Sequence, residues 1–262
     1  MALVVAVIAV LGYFGKSAFN PITQEKQHVA GITPEQEVAL GLQAAPEMVQ
    51  QFGGLDPDPE AQARVRRIGE RLVSRTAAAQ SPYRFEFHLL DDPQTINAFA
   101  LPGGQVAITE GLLRKLKTEG QLAGVLGHEI GHVVARHGAE HIAKQQLTEG
   151  LTGAAVLATY DPNNPSSRGS AAVAAMIGQL VGMRFGRQDE LESDQLGVRF
   201  TSEAGYDPRS MTALMKILSE SSEGGRPPEF FSTHPNPENR IQRIQEAVQK
   251  RYPDGVPEGL EK

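Results

Sequence analysis

Two histidines and a glutamate stand together in one short stretch, His128-Glu129-Ile130-Gly131-His132. Four residues turn through slightly more than one turn of an α-helix, so the two imidazoles fall on one helix face. Side by side there, they can share one metal ion. Glu129, next to the first of them, sits beside that ion, where it can hold a water and take its proton. This spacing is the H-E-x-x-H pattern of zinc-dependent hydrolysis. Residues 122–134 around it are apolar, with Gly124, Gly127 and Gly131 interspersed. Ionisable side chains in so buried-looking a helix are costly unless something pairs with them, and a metal would. The plainer alternative is an amphipathic helix that happens to carry two histidines.

A catalytic zinc ordinarily has three protein ligands and an open position for water. The third must come from elsewhere in the chain. Candidates are His137, His141, His234 and the acidic run Asp189-Glu190-Leu191-Glu192-Ser193-Asp194. On a straight helix His137 and His141 point about half a turn away from His128 and His132. Glu190 and Asp194 are four apart and share a face, so Glu190 can ligate while Asp194 accepts a hydrogen bond from a ligating histidine. Glu192 points away from Asp194, to solvent or to an ion pair. A solvated acidic helix start explains the same run equally well.

The elements that must position these groups read as follows. Residues 2–15 are apolar but short for a bilayer-spanning helix, which needs about twenty residues. They suit an export signal or a membrane anchor, with a buried core helix as the alternative. Residues 16–32 read as a linker, residues 33–252 as the catalytic domain, and residues 253–262 as a flexible tail. Thr33-Pro34-Glu35-Gln36 starts a helix that runs to residue 51, and a second helix covers residues 59–76. Residues 83–90 alternate as a strand. Residues 97–101 and 105–109 form a hairpin around Pro102-Gly103-Gly104. A short helix (110–117) precedes one continuous metal-bearing helix over residues 119–147. Residues 151–159 and 170–183 read as short helices or a flap, and further helices cover 188–204, 207–222 and 236–251. The sum is a mainly helical α+β domain with one small antiparallel sheet.

Composition narrows the function. The 262 residues carry a net charge of -6, which argues against a nucleic-acid partner. The chain has no cysteine, so disulfides, a thiolate zinc site, a cysteine nucleophile and a lipid-modified N-terminal cysteine are excluded.

Four separated stretches match a known family in the right order: NAFALPGGQVAITEGLL at 97–113, HEIGHVVARH at 128–137, ELESD at 190–194 followed by Gly197, and STHPNPENRI at 232–241. The chain resembles the HtpX/BepA/LoiP-like zinc metallopeptidases, gluzincins related to the CAAX prenyl protease 1 type. The closest look is of the envelope-facing branch, because no pair of long membrane helices is present. The resemblance implies one Zn2+ per chain, held by His128, His132 and Glu190, with Glu129 as general base. It implies Asp194 as the partner behind a ligand histidine and places His234 close to the zinc. There His234 either stabilises the transition state or fills the fourth metal position as an inhibitory switch. Arg240 matches a family arginine, and Ser193 stands where alanine is common.

The implied activity is an endopeptidase acting on unfolded or misassembled envelope proteins. Its substrates would be polypeptides, and the catalytic domain would be periplasmic or anchored through residues 2–15. An extended substrate can add as a strand along Asn97, Ala98, Phe99 and Ala100; a plain core hairpin is the equal alternative. A chaperone-like or assembly-factor module that uses the same cleft with little proteolysis is the competing reading, and an intact Glu129 favours the enzyme. A membrane-embedded peptidase for lipidated substrates is disfavoured by the lack of further apolar spans. The sequence is silent on oligomeric state.

Overall fold

In a computed structural model that describes residues 17–29, 31–149, 180, 183–221, 228–235 and 239–262, Thr33 opens the first long helix. Its hydroxyl accepts from the Gln36 amide at 3.3 Å, and the Gln36 side chain accepts from the Thr33 amide at 2.9 Å. This reciprocal cap, with Pro34 at the first position, sets α1 (Pro34–Gln51). Helix α2 (Pro59–Ser74) is capped by the Asp58 carboxylate and buries Val65, Ile68 and Leu72 along one stripe.

Three strands follow: β3 (Glu86–Leu90), β4 (Ala98–Leu101) and β5 (Gln105–Thr109). The expected hairpin is β4–β5, antiparallel with Ala98 opposite Ile108 and Leu101 opposite Gln105. Strand β3 joins the far side of β5 in parallel, so the sheet is mixed, in the order β3-β5-β4. Every residue of the central β5 is buried, as a strand packed on both faces requires. The short helix α3 (Glu110–Leu113) leads to α4 (Glu119–Val134), which is buried from Gly120 to its end. Helix α4 packs along β4, α2 and the later helix α6 (Arg187–Glu203). Small residues allow this approach: a Cβ on Gly131 would stand 3.1 Å from the Ser193 Cα. Helices α7 (Ser210–Glu220), α8 (Phe230–Thr233) and α9 (Arg240–Arg251) complete the described fold.

The continuous helix expected over 119–147 is broken. Arg136 takes a left-handed backbone (φ 61°), and a separate helix α5 (His137–Glu149) begins after it. The break has two anchors. The Arg136 guanidinium donates to the buried Glu37 carboxylate at 2.7 Å and to the Ile32 carbonyl at 2.6 Å. In addition, residues expected to be linker form a hairpin, β1 (Ala18–Asn20) and β2 (Glu25–Gln27). Asn20 donates to the Val134 carbonyl at 2.7 Å and Gln27 to the Ala135 carbonyl. These are the carbonyls that a helix end leaves without partners. The hairpin therefore belongs to the folded unit. Replacing Asn20 and Gln27 together by alanine is expected to cost about 1–3 kcal/mol for each orphaned carbonyl, read as a lower urea midpoint. An unchanged midpoint would show that the hairpin only rests on the helix end.

The expected tail is also engaged. Glu261 donates its amide to the Gly205 carbonyl at 3.1 Å and accepts from the Asp207 amide at 2.8 Å, and its carboxylate pairs with Arg71. The apolar run 2–15 and most of the small-residue stretches at 151–159 and 170–183 lie outside the described residues. Among the described residues, no helix is long and apolar enough to cross a membrane.

Candidate metal centre

His128 and His132 project from the same side of α4, as their spacing requires, with their Nε2 atoms 3.1 Å apart. The first turn of α6 brings Glu190 against them. Its Oε2 lies 3.5 Å from His128 Nε2 and its Oε1 3.5 Å from His132 Nε2. His234, just after α8, closes the group. Its Nδ1 is 3.1 Å from Glu190 Oε1 and 3.4 Å from His128 Nε2. All four residues are buried, and one donor atom from each lies within 4.8 Å of the others. Imidazole and carboxylate donors in this number could hold a metal ion, and the set suits zinc.

Behind His128 stands Asp194, whose Oδ1 is 3.0 Å from His128 Nδ1. Arg240, in the first turn of α9, grips Asp194 through two hydrogen bonds of 2.6 and 2.9 Å. Its Nη1 also lies 2.9 Å from Glu190 Oε2. One buried guanidinium thus ties together a candidate ligand and the partner of another.

A sequence model of peptidase family M48 matches residues 59–248, a span that holds every group just described. The chain belongs to peptidase family M48. Members of this family are metal-dependent, and the resemblance read from the four sequence stretches agrees with it. The chain is 36% identical to the beta-barrel assembly-enhancing protease of Escherichia coli (strain K12) over 207 residues, 74% of this chain and 40% of that protein. Against the protein of the same name from Yersinia pestis it is 33% identical over 218 residues, 81% of this chain and 44% of that protein. It is 31% identical to the mitochondrial metalloendopeptidase OMA1 of Schizosaccharomyces pombe over 238 residues, 89% of this chain and 67% of that protein. The chain spans less than half the length of the two bacterial relatives.

Electrostatics of this M48 site favour a cation. Burial disfavours a charged Glu190 carboxylate, yet His234, His128 and His132 outweigh it and hold its pKa well below the usual range. Burial also disfavours the His128 imidazolium, but hydrogen bonds to Asp194 and Glu190 push its pKa up to about 9. His132 moves the opposite way: burial, with charged His128 beside it, lowers its pKa well below that of a free imidazole. Two imidazoles 3.1 Å apart cannot both be charged. Arg240 already sets one positive charge against Glu190 and Asp194, and the carboxylates favour a further one at His128, the side on which an ion would sit.

Glu129 is fully buried, and neither carboxylate oxygen has a hydrogen-bond partner among the described residues. Its Oε1 is 3.6 Å from His234 Nε2, which is likewise unpartnered. Burial raises the Glu129 pKa. Such atoms are costly in a dry interior and fit a site that receives water or a reacting amide.

The other histidines divide. His141 is not one of the four clustered donors and bonds Asp189 at 2.7 Å. His137 does not face away: its Nδ1 is 2.9 Å from His132 Nδ1. The turn at Arg136 swings it back under α4, which a straight helix would not do. Glu192 pairs with His137 at 3.1 Å. Phe185 stacks on the His132 ring, with centroids 3.9 Å apart. No periodicity marks Phe185 in the sequence, and reading the sequence missed it.

Strand β4 lies at the sheet edge beside α4. Asn97, Ala98 and Phe99 are buried, Ala100 is half-buried, and Phe99 packs on Phe52. The Thr109 amide donates to the Asn97 carbonyl, which sets residues 97, 99 and 101 as the pairs bonded to β5. The backbone groups of Ala98 and Ala100 therefore face the outer edge. What β4 can offer a peptide there is main chain, because the Phe99 side chain belongs to the core.

Proposed function

We propose that this chain is a zinc-dependent endopeptidase that cuts extended segments of unfolded or misassembled envelope proteins. The observation that carries the reading is the unpartnered, buried Glu129 carboxylate beside the converging His128, His132 and Glu190. His128, His132 and Glu190 would hold the ion. Bound zinc supplies Lewis acidity to a water and to the scissile carbonyl. Glu129 accepts the proton of the attacking water and returns it to the leaving amine as the C–N bond breaks. Asp194 and Arg240 keep the His128 ring in place while charge moves through the pocket. Substrate pairs with the outer edge of β4 through the Ala98 and Ala100 backbone, a mode that reads main chain rather than sequence and so suits unfolded segments. The name of the bacterial relatives, beta-barrel assembly-enhancing protease, supports substrates among proteins under assembly, and the apolar residues 2–15 would export or anchor the catalytic domain.

Within this reading His234 is a closing fourth ligand. Its Nδ1 stands among the metal donors, and catalytic zinc needs that position open. His234→Ala is expected to raise basal cleavage severalfold with zinc content unchanged. A fall in rate would instead make His234 a donor to the developing oxyanion.

The function as a whole is tested with casein. Cleavage should stop on chelation and return with added zinc. Zinc-loaded parent and His234→Ala chains that bind casein but never cut it would leave a chaperone-like binder instead.

A further inference from the structure

We infer that His137 positions His132 for the metal, and that Glu192 positions His137; the inference rests on the zinc site proposed above. At 2.9 Å, the two facing Nδ1 atoms of His132 and His137 leave room for one proton between them. If neither carried it, two lone pairs would be opposed in a dry interior. Glu192 decides which ring carries it. Its Oε2 lies 3.1 Å from His137 Nε2, and a carboxylate only accepts. His137 therefore carries its proton on Nε2 and offers the Nδ1 lone pair. The Ser193 hydroxyl, 3.4 Å from that atom, is free to donate to it in this arrangement. His132 must then carry its proton on Nδ1. Its Nε2 lone pair is left pointing at His128 and Glu190, where a metal ion would sit.

The two candidate ligand histidines are thus oriented by different devices. His128 meets a carboxylate directly, Asp194 at 3.0 Å. His132 meets one through an intervening imidazole. Backbone and side chains both serve this second device. The left-handed Arg136 aims His137, and Phe185 stacks on the His132 ring. The two histidines are almost fully buried, whereas the Glu192 side chain is 27% exposed and lines a cavity of about 570 Å³ beside Arg199 and Arg243.

The test measures the zinc dissociation constant of the full chain by competition with a chelator. Partners behind metal-bound histidines are worth about 10–100-fold in affinity. His137→Phe, which keeps the ring volume but removes the acceptor, should weaken zinc binding by that order. His137→Asn sets its Oδ1 near the place of the lost Nδ1 and should restore most of it. Glu192→Met, at a partly exposed position, should weaken binding less than His137→Phe; it keeps the question decidable even where His137→Phe fails to fold. Nitrogen-15 spectra of the zinc-loaded parent should show the His132 proton on Nδ1. A proton on Nε2, a His137→Phe chain that binds zinc as tightly as the parent, or a His137→Asn chain as weak as His137→Phe would overturn the inference alone. A parent that takes up no zinc would overturn the proposed function and this inference together.

Discussion

Glu129→Gln is expected to keep zinc and to lose casein cleavage by about 10²–10⁴-fold, the usual worth of a positioned proton-transfer group. The substitution changes one atom of a fully buried side chain. Side-chain size is preserved, so the fold and the histidine ligands should be unaffected. What disappears is the basic carboxylate whose oxygens face His234 Nε2 without other partners. An amide cannot take a proton from water at neutral pH. Burial raises the Glu129 pKa, so the carboxyl is suited to receiving a proton and holding it until the amine departs. Parental cleavage by the Glu129→Gln chain would remove Glu129 from the reaction.

Arg240→Met should have the largest effect on stability. Arg240 is 1% exposed and faces two buried carboxylates, Asp194 and Glu190. Removing one partner from a buried charge network costs about 3–5 kcal/mol, because the remaining charges lose their compensation. The loss should appear as a lower urea midpoint of the metal-free chain. Added zinc should narrow the gap, since a cation beside Glu190 replaces part of the missing charge. Arg240→Lys should fall between, because a point charge cannot reproduce the fork on Asp194. A metal-free Arg240→Met chain as stable as the parent would mean that Asp194 and Glu190 find other partners.

The parts of this site that follow helical spacing were legible in the sequence. Four-residue separations put His128 beside His132 and Glu190 beside Asp194 whatever the tertiary structure, and both pairs converge in the fold. Arg240 was visible only through family resemblance, and without it His234 was one candidate histidine among three. Both reach the site from over 100 residues beyond His128, and no local period encodes that. His137 was misread because its direction depends on a helix break. That break is anchored by Glu37, 99 residues earlier in the chain, and by the amides of Asn20 and Gln27. The hairpin itself hid for a similar reason. Its residues are polar or exposed, Phe19 included, so they show none of the apolar alternation that announces a strand. Strand β3 was legible as a strand. Its parallel partner was not, because alternation tells which face is buried and never which neighbour is bonded.

In the proposed function His128, His132 and Glu190 together hold the zinc beside which Glu129 works. Elemental analysis of the purified full chain, parent and Glu190→Gln in parallel, tests it most directly. About one zinc per parent chain is expected, and far less in Glu190→Gln. A parent without zinc, or a Glu190→Gln chain that retains as much as the parent, would contradict it.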